Sequence, residues 1–158
     1  MAATLRTARP SDRDAIIELI HRLNLFEADL VGDRRRDYGG AIAYYDELLQ
    51  RLSRRQGRVV LAEEDGIAVG AVGFSIDEDA AYVTEDVRRH GTVTDLIVHE
   101  EWRGRGIGRM LLAEAERLTR EAGLNRLFIG ALVANGPACR IYESFGFQPY
   151  VSLMIKEL

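Results

Sequence analysis

Long apolar runs and cysteines are scarce in this chain of 158 residues. No apolar run approaches the roughly 20 residues that a membrane-spanning helix needs, and residues 1–10 lack the apolar core of a secretory signal. The sequence therefore predicts a cytoplasmic protein that does not act on a membrane. The single cysteine, Cys139, excludes an internal disulfide and a cysteine-based zinc site. The three histidines show no metal-ligand spacing, so we expect no metal.

Positive charge is also not in excess. The chain has 21 basic and 25 acidic residues, a formal net charge of −4. This balance gives no indication of an extended nucleic-acid surface, although a local anion site is still allowed. With 47% hydrophobic residues, a chain of this length can bury a substantial core, and we expect a single compact domain over residues 1–158.

Hydrophobic periodicity predicts strands alternating with helices in the order βααββ followed by βαβαβ, an α/β or α+β domain. Ser11 is the predicted N-cap of the first helix, and Glu64-Asp65-Gly66 predicts a hairpin turn. Residues 24–40 and 77–91 have mixed, charged sequences and are predicted to be largely irregular. The predicted helices span about 11–23, 41–55, 107–123 and 136–144, and the predicted strands span about 5–8, 59–62, 67–76, 92–98, 127–133 and 147–158.

The most informative segment is the glycine-rich turn Arg103–Gly108, between an apolar strand and an amphipathic helix. A helix N-terminus presents unpaired backbone N–H groups and a partial positive charge, and glycines let an anion approach without interference from Cβ atoms. A pyrophosphate is the expected ligand of this turn. The segment is not a P-loop, because Arg109 follows Gly108 where a lysine is needed, and its glycine spacing does not fit the dinucleotide fingerprint.

This turn resembles the pyrophosphate loop of the GCN5-related N-acetyltransferase (GNAT) superfamily, whose pattern is Arg or Gln, two residues, Gly, one residue, then Gly or Ala. Arg103, Gly106 and Gly108 match that pattern. The resemblance covers residues 92–147 and is weaker before them. Its other parts are the strand residues Leu96, Ile97 and Val98, the run Glu101-Trp102-Arg103-Gly104, and the downstream block Asn135, Ala138, Tyr142 and Phe145-Gly146-Phe147.

The resemblance implies a GNAT-like domain with a central mixed, mostly antiparallel sheet flanked by helices. It also implies acetyl-CoA as cosubstrate and acetyl transfer to an amine of a small molecule or a peptide in a ternary complex. A homodimer is consistent with the family, although no motif establishes it. The residues expected to bind the cosubstrate are Leu96, Ile97, Val98, Arg103, Gly104, Arg105, Gly106, Ile107, Gly108 and Asn135.

Two residues are candidates for the catalytic chemistry. Asp95 interrupts an apolar strand and is the leading candidate for the proton acceptor, while the alternative is a structural carboxylate satisfied by its neighbours. Thr94 stands where some family members have a glutamate base. Tyr142 matches the family tyrosine that donates to the leaving thiolate; the alternative is an aromatic anchor for the last helix. A backbone N–H near Ile97 or Val98 is the expected donor to the thioester oxygen.

The acceptor side is less defined by the sequence. Phe26 and Glu27 are the predicted acceptor contacts, in a region that resembles the acceptor-binding loops of the family. Carboxylates in the two irregular regions predict a cationic amine as acceptor; they belong to Glu27, Asp29, Asp77, Glu78, Asp79, Glu85 and Asp86. A second functional hypothesis is a sensor or regulatory module that binds acyl-CoA without transferring its acyl group.

Overall fold

The computed structural model describes residues 2–158. Five strands form one sheet in the order β1-β2-β3-β4-β5, with antiparallel pairing except between β4 and β5, which are parallel. The mixed, mostly antiparallel sheet of the GNAT-like fold is therefore confirmed. The strands are β1 Thr4–Thr7, β2 Arg58–Glu64, β3 Ile67–Glu78, β4 Arg89–Val98 and β5 Leu127–Ile129.

Helices cover both faces of this sheet. One apolar cluster joins α1 and α2 to β2, β3 and β4, and a second joins α4 and α5 to the opposite face. Both clusters contain fully buried aliphatic side chains, such as Leu61 in the first and Leu111 in the second. None of the helices within residues 2–158 has the length and apolar content of a membrane span. The helices are α1 Arg13–Val31, α2 Tyr38–Arg54, α3 Glu85–Arg88, α4 Ile107–Glu121 and α5 Gly136–Phe145, and short 3-10 turns occupy Pro10–Asp12 and Glu100–Trp102.

The first helix is longer than the sequence pattern predicted. It begins after the 3-10 turn, so Ser11 is not its N-cap, and it continues through residues 24–31, which were predicted to be irregular. Gly32, with φ of +77°, ends it in the left-handed conformation that favours glycine. Asp37 then caps α2 by accepting the N–H of Gly40. Only a short connection separates the two helices.

The C-terminal part of the chain departs from the predicted element order. Residues 147–158 contain no strand, β5 is shorter than predicted, and the short helix α3 was not anticipated. The order βααββ–βαβαβ is therefore wrong in its last element. Strand formation needs a partner edge, but β5 offers only three residues, and the Tyr150 ring stacks on Phe128 at 5.3 Å between ring centroids.

A β-bulge in β4 determines which side chains face which helices. Gly73 pairs with Asp95 and Phe74 pairs with Val93, so Thr94 is an extra residue in β4. Residues two or four apart in a regular strand share a face, yet Val93 packs in the α4 cluster and Ile97 in the α1–α2 cluster. The bulge therefore puts Asp95 on the same face of the sheet as Ile97, towards α2, while Leu96 and Val98 pack in the α4 cluster.

An ion-pair cluster fixes the entry into α1 and yields a prediction about stability. The guanidinium of Arg6 donates to both carboxylate oxygens of Asp12, at 2.8 and 2.9 Å, and to Glu63 at 2.8 Å. The bonds from Arg6, followed by the N–H of Arg9, lower the pKa of Asp12 to about 2. Because the carboxylate form is favoured in the fold, its contribution is complete above the unfolded value near 3.9 and is lost as the pH falls towards 2.

Asp12→Asn is therefore expected to lower the free energy of unfolding by about 1–2 kcal/mol at pH 7, because hydrogen bonds to a charged group are lost. Urea unfolding followed by circular dichroism, at pH 7 and at steps down to about pH 2, would measure this difference. The gap from the unmutated chain should shrink between about pH 4 and pH 2. Asp14→Asn is the matched control, because that side chain is 92% exposed. A gap that does not change with pH would contradict the prediction.

Candidate active site

A gap opens beside the second half of β4. Strand β5 pairs with only the first part of β4, from Gly91–Leu127 to Val93–Ile129, while β4 continues to Val98. Within residues 2–158, no strand covers β4 on this side beyond Val93. Backbone polar groups of β4 are consequently available to a bound molecule.

The backbone of β4 provides a donor at this gap. The N–H of His99 donates to the carbonyl of Val69 on β3, at 2.9 Å. Successive N–H groups along an extended strand point to opposite edges, so the N–H of Val98 points towards the gap and that of Ile97 towards β3. Of the two donors anticipated from the sequence, this geometry favours Val98.

The predicted anion loop follows directly. Gly104 and Gly106 adopt φ of +76° and +81°, backbone conformations that favour glycine. The first intrahelical bond of α4 runs from the N–H of Met110 to the carbonyl of Gly106, at 3.0 Å. The three residues after Gly106 therefore have N–H groups without intrahelical acceptors. Together with the helix dipole, these amides form an anion site at the mouth of the gap.

Two arginines brace this loop. Nε of Arg103 donates to the carbonyl of Val98, at 3.1 Å, and its guanidinium lies 5.1 Å from the centre of the Phe26 ring. Arg105 donates to the carbonyl of Glu101, at 3.3 Å, and forms a 3.7 Å ion pair with Glu64. The structure thus brings the predicted acceptor residue Phe26 against the predicted cosubstrate loop, and it uses Arg105 as a support for that loop.

Asp95 lies below α2 and is held by a residue that the sequence pattern did not single out. The hydroxyl of Tyr44 is 3.0 Å from each carboxylate oxygen of Asp95. Asp95 keeps some exposed surface, but protein surrounds its carboxylate, and this burial raises its pKa against the lowering effect of the Tyr44 hydroxyl. Burial, followed by the charge of Asp95, raises the pKa of Tyr44, which therefore remains protonated as a donor.

Tyr142 on α5 lies on the face of the sheet that α4 covers. Its ring packs against the α4 cluster and meets Phe147 edge-on, with 6.2 Å between ring centroids. Burial, with smaller contributions from Cys139 and Glu27, raises the pKa of Tyr142 to about 12. The hydroxyl therefore stays protonated at neutral pH, as a hydrogen-bond donor must.

Glu27 acts electrostatically on both catalytic candidates. Its negative charge raises the pKa of Asp95 and of Tyr142, so Glu27 on α1 lies near both. Its side chain is 22% exposed and accepts a hydrogen bond from Arg34 at 2.9 Å. The charge of Glu27 therefore acts on both catalytic candidates, which come from distant parts of the sequence.

Two other residues complete the description. Oδ1 of Asn135 accepts the N–H of Ala138, at 3.3 Å, so this predicted cosubstrate residue bonds within its own helix and not to the anion loop. Arg109, which the sequence argument did not propose, bridges α4 to α5 by donating to Ser144 at 3.1 Å. The only feature of the sequence that could have indicated a role for Arg109 is its position in the first turn of α4, whose amides form the anion site. Residues 2–158 contain no group of three side chains suited to holding a metal ion.

Comparison with known proteins decides the family. Residues 23–147 match the sequence model of the Acetyltransferase (GNAT) family. The chain belongs to this family. It is 32% identical over 149 residues to an aminoglycoside N(6')-acetyltransferase type 1 of Stenotrophomonas maltophilia, covering 93% of this chain and 87% of that protein. It is 26% identical over 144 residues to the L-amino acid N-acyltransferase MnaT of Escherichia coli K12, covering 91% and 78%.

A solved GNAT structure shows the same fold. The chain superimposes with a TM-score of 0.73 on AAC(6')-Iy in complex with the bisubstrate analogue CoA-S-monomethyl-acetylneamine, at 16% identity, covering 100% of this chain and 99% of that one. The protein is an N-acetyltransferase, and acetyl-CoA is its cosubstrate. The described residues suit that molecule, because the α4 amides can hold its pyrophosphate and the gap beside β4 can admit its thioester arm.

Proposed function

We propose that this GNAT enzyme transfers an acetyl group to the primary amine of a small molecule or peptide by direct attack in a ternary complex. The observation that carries this proposal is the open edge of β4 beside the free amides at the start of α4, with the charge of Glu27 acting on both Asp95 and Tyr142. Acetyl-CoA supplies an activated acetyl carbon there. As the amine nitrogen bonds to that carbon, the carbon–sulfur bond breaks and its electron pair stays on sulfur.

The chain's own groups manage the charges and protons of this exchange. An amine with a pKa near 10.4 is free in only about one molecule in 2,500 at pH 7, so a proton acceptor is required. Asp95 takes one proton from the acceptor ammonium before attack, and the second proton, which the nitrogen loses as the amide forms, passes through solvent to the leaving thiolate to give the CoA thiol. The N–H of Val98 stabilises negative charge on the thioester oxygen, and the hydroxyl of Tyr142 donates a hydrogen bond to the forming thiolate.

The charge of the site supports a cationic acceptor, but fewer carboxylates contribute to it than the sequence suggested. Five of the seven acidic residues that motivated this hypothesis form ion pairs with arginines; these pairs are Glu27–Arg34, Asp29–Arg36, Asp77–Arg51, Glu78–Arg88 and Glu85–Arg88. Beside the gap, the carboxylates that can attract an amine are those of Asp95 and Glu27, although Glu27 shares its charge with Arg34. The cytoplasmic location and the homodimer stay predictions.

Release of CoA in the presence of a matched amine panel tests the function. We choose 1,3-diaminopropane, 3-amino-1-propanol and β-alanine, which carry the same primary amine with a cationic, neutral or anionic end. Turnover above the blank, highest for the diamine, is the expected result. If acetyl-CoA binds but no amine, including an L-amino acid and an aminoglycoside, raises CoA release above the blank, the acyl-CoA-binding sensor is the better description.

Glu27→Gln is expected to raise KM for 1,3-diaminopropane about tenfold, because a partly buried carboxylate near the acceptor is neutralised. The unmutated enzyme should also lose kcat/KM as salt rises, since the Debye length falls from about 10 Å at 0.1 M to 3 Å at 1 M, and the variant should lose less. Steady-state kinetics at both salt concentrations measures both effects.

Asp29→Asn is the matched control for this prediction. Asp29 lies on the same helix and is also paired with an arginine, but its side chain is 72% exposed. The control should keep the KM and the salt dependence of the unmutated enzyme. Equal changes in the two variants would remove Glu27 from the acceptor site, and a preference for β-alanine would remove the cationic acceptor altogether.

A further inference from the structure

The contact between Tyr44 and Asp95 is not used by the mechanism described so far. It joins α2 to β4, and its two partners are 51 positions apart in the sequence. The hydroxyl lies 3.0 Å from both Oδ1 and Oδ2, so one proton is shared across the whole carboxylate. No cation contacts this carboxylate, and the hydrogen bond from Tyr44 lowers its pKa more than the one from Thr94, so the carboxylate depends strongly on Tyr44.

We propose that Tyr44 is a positioning residue of the transfer reaction, whose hydroxyl keeps the Asp95 carboxylate ionised and oriented to accept a proton from the acceptor ammonium. This inference rests on the proposed function of Asp95. The proton moves from the ammonium nitrogen to a carboxylate oxygen, while the phenol keeps its own proton and remains a donor. Tyr44 therefore acts on the acceptor only through Asp95.

The surroundings leave few other groups that could set the charge state of Asp95. From α2, the cationic Arg51 favours the ionised carboxylate, and from α1 the negative Glu27 disfavours it. Glu47 on α2 faces the Tyr44 hydroxyl and adds a further negative charge. The residue paired with Asp95 on β3 is Gly73, which carries no charge. Of the groups that oppose the effect of burial on the pKa of Asp95, the Tyr44 hydroxyl has the largest effect, followed by the Thr94 hydroxyl.

Gly73 also makes room for the Asp95 carboxylate. A Cβ atom built at Gly73 would lie 2.1 Å from Oγ1 of Thr94 and 3.3 Å from Oδ2 of Asp95. Any side chain at this position would therefore displace the bulge and press on the carboxylate. The absence of a side chain leaves Asp95 in the place where the Tyr44 hydroxyl reaches both of its oxygens.

Tyr44→Phe tests the proposal because it removes the hydroxyl and keeps the ring. Loss of a donor to the charged form should raise the pKa of Asp95 by about one pH unit. The direct measurement is the titration of the Asp95 carboxyl carbon by NMR of 13C-aspartate-labelled protein, assigned with Asp95→Asn. This readout needs no acceptor. An unchanged titration in a folded Tyr44→Phe variant would overturn the proposal.

The pH dependence of kcat/KM with 1,3-diaminopropane and saturating acetyl-CoA provides the second readout. In Tyr44→Phe, the fall of kcat/KM on the acid side of the profile, its acid limb, should move to higher pH by about one unit. At high pH, where Asp95 is ionised in both proteins, the variant should have most of the activity of the unmutated enzyme. A purely structural contact would lower the rate equally at every pH, which would also overturn the proposal. Tyr45→Phe is the matched control, because Tyr45 is the adjacent tyrosine of α2 and packs in the core; it should leave the limb in place.

The two hypotheses fail differently. Should Asp95→Asn keep full activity and the same pH profile, Asp95 is not the proton acceptor, whatever the NMR titration shows. Should Asp95→Asn lose activity while Tyr44→Phe moves neither the titration nor the acid limb, the acceptor role stands and the role of Tyr44 falls. In the Asp95→Asn background, the further change Tyr44→Phe should have almost no effect on the pH profile.

Discussion

Gly106→Val is expected to lower the affinity for acetyl-CoA about 100-fold or more while the domain remains folded. Gly106 precedes α4 with φ of +81°, a conformation that a β-branched residue rarely adopts. The substitution should therefore turn the first amides of α4 away from the pyrophosphate. Each hydrogen bond to a charged group contributes about 1.5–3 kcal/mol, so losing two accounts for a change of this size. Isothermal titration calorimetry with acetyl-CoA measures it.

Strain alone could weaken binding by destabilising the whole domain, and Gly123→Val controls for this. Gly123 lies just beyond the other end of α4 with φ of +75°, and neither glycine has an atom within 4 Å of a built Cβ. The two variants should lose similar stability, but only Gly106→Val should lose the ligand. Unchanged affinity in folded Gly106→Val, or equal losses in both, would show that the loop amides do not hold the pyrophosphate.

Tyr142→Phe is expected to lower kcat by about 10²–10⁴ while the dissociation constant of acetyl-CoA changes less than threefold. The lost hydroxyl acts mainly as the thiolate forms, so its removal takes away transition-state stabilisation and not ground-state binding. The ring still packs against Phe147 and the α4 cluster. Because the pKa of Tyr142 is raised to about 12, well above that of a thiol near 8.5, the hydroxyl is better suited to donating a hydrogen bond than to transferring its proton.

Single-turnover kinetics with saturating acetyl-CoA separates the chemical step from product release in this experiment. Tyr150→Phe serves as the matched control, since it removes the same hydroxyl from a ring that is 64% exposed and stacks on Phe128. The control should keep the full rate. If Tyr142→Phe turns over as fast as the unmutated enzyme, the tyrosine is an aromatic anchor of α5 and another group must stabilise the thiolate.

The sequence was most informative where function depends on local backbone geometry. The glycines of Arg103–Gly108 serve a turn and a helix start within one short segment, so their spacing could be interpreted without knowledge of the rest of the fold. The hairpin at Glu64–Gly66 was predicted correctly for the same reason, with Asp65 and Gly66 both at positive φ. The helix start after Asn135 was also correct, because the side chain of Asn135 accepts the N–H of Ala138, only three residues away.

Predictions failed where tertiary contacts override local pattern. Charged residues in 24–31 concealed the second half of α1, which is helical because one side of it packs near the sheet and the anion loop. In a regular strand Val93 and Ile97 would share a face, but the bulge at Thr94 separates them, and no local pattern marks such a bulge. The predicted last strand is absent because β5, with only three residues, is too short to provide an edge for pairing. The length of β5 could not be judged from the sequence.

The sequence by itself determined the anion loop, the helix that follows it and two catalytic candidates, since each rests on neighbouring residues whose backbone preferences act over a few positions. Only the tertiary structure decided that Tyr44 holds Asp95, that Glu27 lies near both catalytic candidates and that most other acidic residues pair with arginines. The partners of these contacts belong to different elements and come together only when the helices pack on the sheet. No local periodicity encodes which side chains meet across that packing, so such contacts become visible only in the folded chain.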